Sequence, residues 1–165
     1  IEQAGTYRLP EAQLDRFLMK TSIGYPGREA GIDVILGSAS PDRTRDLAPV
    51  ISTKAVADMA DLAAGNYVDR SIAAYVQDLC EATRADSEVR IGVSTRGAIA
   101  MMRAARVWAI AQGRNFVIPD DVQALGVRVW AHRLVLDPDA EFGGATREGV
   151  VERALLAVTA PVMKG

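Results

Sequence analysis

The chain has 165 residues, 49% of them hydrophobic, which is enough to bury a proper core and excludes disorder as its main state. A formal net charge of -2 and a pI of about 5.5 exclude wholesale binding to nucleic acid or anionic membrane by bulk positive charge, so any basic function is local. A single cysteine, Cys80, and a single histidine, His132, exclude an internal disulfide and a Cys/His zinc cluster and fit a reducing, cytoplasmic setting.

The first residue is Ile1 rather than Met, with no basic leader after it, so the chain reads as a start inside a longer polypeptide. Residues 1–8 lack periodicity and read as loop. From Leu9 to Leu18, Pro10 suits a first helical position, Glu11 falls in the first turn, and Leu14, Phe17 and Leu18 recur at helical spacing, which predicts a short amphipathic helix. Arg16 lies off that stripe, beside Asp15, pointing to solvent or a partner. Leu18 to Ile23 has the composition of a possible strand, whose pairing partners would come from elsewhere. Helix restarts at Tyr25-Pro26, carries Ile32, Val34, Ile35 and Leu36, and stops at Gly37. Residues 38–51, rich in Ser, Pro, Asp and Arg without an apolar face, read as a linker between residues 1–37 and a helical unit at 52–165.

Ser52 caps a helix carrying Val56, Met59, Ala60 and Ala63. The next, from about Asp69 to Thr83, has the cleanest stripe in the chain: Ile72, Tyr75, Val76, Leu79, Cys80 and Thr83. Ser94 is the natural N-cap of the longest helical segment, which ends at Gly113. Its apolar residues, among them Met101, Met102, Ala105 and Trp108, surround the cylinder almost completely, which predicts a buried rod interrupted by one basic edge of Arg96, Arg103 and Arg106. Arg96 falls in the first turn, where the helix dipole disfavours a cation, so an anion should lie opposite. Asn115 to Ile118 is a short extended piece, and Pro119-Asp-Asp121 opens a helix facing the core with Val122, Leu125, Val129 and Trp130. Leu134 to Gly144 reads as loop, and Val151, Ala154, Leu155 and Val158 mark a last helix. The fold class is mainly α, a bundle of four substantial helices.

Chemistry is sparse. No phosphate-cradling G-x-x-x-x-G-K-[ST] segment is present, because none of Lys20, Lys54 and Lys164 follows a glycine. Asp120 and Asp121 suit a helix start better than a metal site, and no metal-binding residues are identified. Cys80 sits on a core stripe and reads as packing. Ser94 lacks the spacing of a nucleophile elbow, and His132, beside Arg133, suits stabilisation of a helix C-terminus when charged. Arg16 and Arg96 remain. Taken singly, each has a plain alternative: a solvated partner of Asp15 or Glu11 for Arg16, and a salt-bridge donor inside the bundle for Arg96.

The succession Leu9-Pro-Glu-Ala-Gln-Leu-Asp-Arg16-Phe, Ile23-Gly-Tyr-Pro26, Gly92-Val-Ser-Thr-Arg96, Gly113-Arg, Pro119-Asp-Asp-Val122 and His132-Arg-Leu closely resembles the MoxR family of AAA+ ATPases across nearly the whole chain. The resemblance implies a C-terminal part of such a protein: the end of an α/β AAA+ core and hinge helix (1–37), then a helical lid domain (52–165). The Walker A and Walker B segments would lie upstream, so this part alone is expected to be inactive. By the same resemblance Arg16 matches the arginine finger, which reaches the γ-phosphate of ATP held by a neighbouring subunit, and Arg96 matches the sensor 2 arginine of its own subunit. Tyr25 and Pro26 match the junction near the adenine. The cofactors implied are ATP and Mg, the magnesium held outside this part. The partners implied are neighbouring subunits of a homo-oligomeric ring, commonly a hexamer, acting as a chaperone-like remodeller in the cytoplasm, with no nucleic acid and no membrane span. Two positions depart from the family pattern: Thr95 replaces the usual proline, and Gly97 replaces the usual alanine at an expected cost of about 0.5 to 1 kcal/mol in helix stability. The alternative function is a non-enzymatic helical module docking an acidic protein on the Arg96, Arg103 and Arg106 edge. A helix-turn-helix DNA binder is disfavoured by the apolar faces of that helix and the net charge.

Overall fold

The computed structural model describes residues 9–37 and 47–162. The loop expected at 1–8, and residues 38–46 of the expected linker, lie outside the described residues. In chain order the elements are α1 (Glu11–Leu14), α2 (Arg28–Leu36), α3 (Thr53–Ala64), α4 (Arg70–Ala85), β1 (Val89–Ile91), α5 (Thr95–Ala111), α6 (Pro119–Trp130), a 3-10 turn (Ala131–Arg133), β2 (Val135–Leu136), α7 (Pro138–Phe142) and α8 (Arg147–Ala157).

Helices α4, α5, α6 and α8 build the core. The expected stripe of α4 is buried in full, from Ile72 through Tyr75, Val76, Leu79 and Cys80 to Thr83. It meets Met101, Ala104 and Ala105 of α5, Val122, Leu125, Val129 and Trp130 of α6, and Val150, Val151 and Ala154 of α8 in one apolar cluster. Helix α5 packs on α6, α6 on α8, and α8 back on α4, while α3 lies along α5. Side-chain caps hold the helix starts: Ser52 accepts from the Ala55 N–H, Asp69 from Ser71, Ser94 from Gly97 and Thr146 from Gly149. Helix α6 is capped differently. Asp121, almost fully buried, accepts from the Ile118 N–H at 2.9 Å and is gripped by both terminal nitrogens of Arg114, which confirms the acid pair as a helix start.

Several expectations need correction. The first helix ends at Leu14 instead of running through Leu18; Phe17 and Leu18 are exposed, and no residue of α1 is buried. Leu18 to Ile23 forms no strand: its one backbone–backbone bond among the described residues runs from the Lys20 N–H to the Arg128 carbonyl at 2.9 Å. The only sheet among the described residues instead pairs β1 with β2 antiparallel, Val89 opposite Leu136, and the segment read as loop after Leu134 contains β2 and the short α7. On α3, Val56 and Met59 are exposed and only Ala63 is buried, because the helix meets the bundle along one narrow line. Helix α5 is not buried all round: Ile99, Val107 and Trp108 are exposed.

Candidate functional site

The start of α5 is fixed by the end of α4. Thr83, fully buried, donates its hydroxyl to the Cys80 carbonyl at 2.7 Å and accepts from the Val93 N–H at 3.1 Å. Arg84 Nε donates to the Val93 carbonyl at 2.9 Å. Gly92 makes this approach possible: a Cβ there would stand 2.7 Å from Arg84 Cγ and 2.8 Å from its backbone. Ser94 therefore enters α5 at a set angle, and Arg96 follows in the first turn.

Against this corner lies the segment that carries Arg16, and Arg133 holds it. The Arg133 side chain is only 1% exposed. Its Nε donates to the Val129 carbonyl at 2.8 Å, and Nη1 donates to the Asp15 carboxylate at 2.8 Å and to the Asp15 carbonyl. Its Nη2 donates to the carbonyls of Phe17 and Leu18. The backbone on both sides of Arg16 is thus tied to the end of α6. Asp15 in turn accepts from the Ser94 hydroxyl at 3.0–3.1 Å, so one carboxylate bridges the segment of Arg16 and the N-cap of the helix of Arg96. His132 adds a contact from Nε2 to the Phe17 carbonyl at 3.2 Å. Burial, the largest cause, pushes its pKa below the ordinary histidine value, with Arg133 and Lys20 acting the same way. Burial thus opposes the charging of His132, and its Nε2 meets the Phe17 carbonyl, a contact to the segment of Arg16 that the sequence did not lead us to expect.

Arg16 and Arg96 line one cavity of about 350 Å³, together with Asp15, Arg103 and Arg133. The guanidinium of Arg16 has no ion pair or hydrogen bond among the described residues, because Asp15 turns to Arg133 and Ser94 while Glu11 pairs with Arg90 at 3.4 Å. Arg96 is 61% exposed, and its closest carboxylate oxygen, on Asp15, is 3.9 Å away, beyond hydrogen-bond reach. The plain alternative for Arg16 finds no partner among the described residues, whereas that for Arg96 is met by a long ion pair with Asp15 that leaves its guanidinium without a hydrogen bond among the described residues. Arg106, by contrast, donates to the Ala64 carbonyl at 2.9 Å and closes the end of α3. Tyr25 and Pro26 stand apart, with Tyr25 99% exposed.

Arg133 and Asp15 are the site residues that sequence reasoning missed. The signal present was His132-Arg-Leu among the motif segments, but nothing local marks an arginine as buried. Cys80 is confirmed as packing: it is fully buried, and desolvation pushes its thiol up to about 11. Among the described residues no group of three or more His, Cys, Asp or Glu side chains gathers as a metal site, and no helix is long and apolar enough to cross a membrane.

Comparison with known proteins adds the family context. Residues 81–154 match the model of the AAA lid domain. Over 98% of this chain and 45% of its own length, Chaperone MoxR1 of Mycobacterium tuberculosis is 36% identical. Protein MoxR of Paracoccus denitrificans is 33% identical over 98% of this chain and 52% of its own. YeaC, an uncharacterized protein of Bacillus subtilis, is 38% identical over 99% of this chain and 51% of its own. A crystal structure of a candidate ATPase from Cytophaga hutchinsonii superposes with a TM-score of 0.85 at 28% identity, over 98% of this chain and 52% of that one. The chain spans about half the length of the curated relatives it matches.

Proposed function

Because this chain belongs to the MoxR family of AAA+ proteins and carries an AAA lid domain, we propose that it supplies two arginines for ATP hydrolysis, Arg16 as the arginine finger and Arg96 as the sensor 2 arginine, in a chaperone-like remodelling ring. The observation that carries this reading is that both side chains border one cavity, Arg16 without an ion pair among the described residues and Arg96 with only a 3.9 Å approach to the Asp15 carboxylate. A planar guanidinium offers paired donors to phosphate oxygens, and charge that develops on the transferred phosphoryl group is stabilised by such a donor held in place beforehand.

The donor set fits the phosphates of ATP and not its magnesium, since Asp15, the one carboxylate on the cavity wall, is engaged by Arg133 and Ser94. Magnesium and the phosphate-cradling backbone then belong to a nucleotide-binding core, and this chain positions charge against the nucleotide. When bound, the metal neutralises phosphate charge. Arg16 is exposed and has no ion pair among the described residues, so in this reading it swings out toward the nucleotide of a neighbouring subunit of a homo-oligomeric ring, a hexamer, while Arg96 stays with its own subunit and couples lid angle to nucleotide state. The exposed ring of Tyr25 is free to pack on adenine.

The test uses the polypeptide that joins this chain to its nucleotide-binding core. Arg16→Ala should lower turnover about a thousandfold or more while sparing ATP binding, and Arg96→Ala should weaken nucleotide affinity or its coupling to lid movement. Wild-type turnover in Arg16→Ala would refute the finger assignment. A second reading, docking of an acidic protein partner without catalysis, is favoured by the exposed Ile99 and Val107 beside Arg103 on α5. It requires turnover and affinity to be indifferent to both arginines.

A further inference from the structure

Arg16 and the side chains that hold its segment come from different parts of the chain. Ser94, His132 and Arg133 lie within the stretch 81–154 that matches the AAA lid domain, and Arg16 lies outside it. Among the described residues, every hydrogen bond that reaches residues 15, 17 and 18 from beyond their own turn comes from those three lid side chains. The backbone on both sides of Arg16 is therefore fastened to the lid, while the Arg16 side chain itself stays exposed. The Arg133 stem also lies against the first turn of α5, since a Cβ at Gly97 would stand 3.1 Å from its Cδ.

Asp15 is where this fastening meets Arg96. Its carboxylate takes an Nη1 donor of Arg133 at 2.8 Å and the Ser94 hydroxyl at 3.0 Å, and it stands 3.9 Å from Arg96 Nη1. That last pair is too long for a hydrogen bond, so a phosphate that accepts directly from the Arg96 guanidinium outcompetes Asp15 for it. When Arg96 turns to the phosphate, the first turn of α5 moves with it. Ser94, two residues earlier, carries the movement to Asp15, the residue next to Arg16, and Arg133 keeps the segment from giving way. We propose that Asp15, Ser94 and Arg133 are positioning residues that make the stance of Arg16 depend on whether Arg96 holds a phosphate, so that a subunit's own nucleotide sets the arginine it offers to its neighbour. This control rests on the nucleotide reading above and gives it a direction, from the lid to Arg16.

The experiment uses the polypeptide that joins this chain to its nucleotide-binding core, as wild type, Ser94→Gly, Ser94→Thr and Arg133→Lys. It measures kcat and KM for ATP, and hydrogen exchange at the amides of residues 15–18 with and without ATP. Glycine caps a helix nearly as well as serine, so Ser94→Gly removes the link to Asp15 and leaves α5 folded, and threonine keeps the hydroxyl. In wild type and Ser94→Thr, ATP should change the exchange of these amides. In Ser94→Gly and Arg133→Lys that change should be lost, with KM unchanged and kcat lowered about tenfold, as expected when a donor is misplaced rather than removed. Combined with Arg16→Ala, neither substitution should lower the residual turnover further, whereas a general loss of folding lowers it in both backgrounds. Exchange at residues 15–18 that ignores ATP in wild type, or responds equally in wild type and Ser94→Gly, overturns the control, and so does a further fall of turnover in the Arg16→Ala background. Loss of the response in Ser94→Thr overturns the hydroxyl as its link. Wild-type turnover in Arg16→Ala removes the finger reading instead, and the exchange response then decides alone whether the lid governs this segment.

Discussion

Arg133 Nη1 donates to the Asp15 carboxylate at 2.8 Å across 118 residues of sequence, and the same carboxylate accepts from the Ser94 hydroxyl that caps α5. This clasp sets where Arg16 stands relative to Arg96. Its donors also satisfy the backbone carbonyls of residues 15, 17 and 18, and peptide carbonyls at a buried guanidinium are costly to leave unpaired.

Replacement of Arg133 by methionine, which keeps bulk and removes every donor, should therefore destabilise the chain by about 3 kcal/mol, the scale of breaking a buried pair from one side. Urea denaturation of both proteins checks it. The exchange rates of the amides of residues 15–18 should rise more than those of α4, because the clasp is the main tie of that segment to the bundle. Uniform loss of protection across the two regions would contradict that order.

The helical lid was legible in the sequence where one face alone is buried. On α4 the apolar positions repeat at helical spacing and meet a single core, so the pattern and the packing agree residue by residue. On α5 the apolar residues run around the cylinder, and periodicity cannot tell which side a neighbour covers; Trp108 and Val107 were left outside. The two short strands have three and two residues, too few to show alternation. Leu18 to Ile23 has the side chains of a strand, but the backbone partner it meets is the single carbonyl of Arg128. At the candidate site the motif spacing singled out Arg16 and Arg96, while the residues that position them, Asp15 and Arg133, owe their environment to contacts far apart in the chain.

His132 gives a pH dependence of defined sign. Its folded pKa is lowered, chiefly by burial, and its Nδ1 is buried without a partner among the described residues, so protonation would place a new donor where nothing accepts it. The folded chain consequently binds less proton than the unfolded one near the ordinary histidine value of about 6.5. The stability associated with neutral His132 is present above that value and is lost as pH falls from it through the folded pKa. Between pH 7.5 and pH 5.5 the melting temperature of wild type should drop further than that of His132→Gln. Equal drops would show that His132 is not the group responsible.

Cys80 should be inert while the chain is folded. The thiolate is the reactive form, and a thiol pushed up to about 11 by desolvation, with no exposed surface, offers little of it near pH 8. A maleimide or aromatic disulfide reagent should label Cys80 only as fast as the core opens, and at full rate in urea. Rapid stoichiometric labelling of native protein would contradict the packing assignment.

Gly97 is the position where a helix-propensity argument points the wrong way. Glycine in a helix costs about 1 kcal/mol against alanine, which makes Gly97→Ala look stabilising. The structure reverses that expectation. A Cβ at 97 would lie 2.6 Å from Val93 Cγ1 and 3.1 Å from Arg133 Cδ. Val93 is fully buried and pinned at both its N–H and its carbonyl, and the Arg133 stem runs there to reach the segment of Arg16. The Gly97 carbonyl also accepts from Trp130 Nε1 at 3.1 Å, so α5 cannot back away without losing that bond. Overpacking of this kind costs about 1 to 3 kcal/mol, so Gly97→Ala should be net destabilising by about 1 kcal/mol, and Gly97→Ala combined with Val93→Ala should be less destabilising than the sum of the two single changes. Chemical denaturation of the two single variants and the double variant checks this, and strict additivity would show that the contact with Val93 is not what requires glycine at this turn.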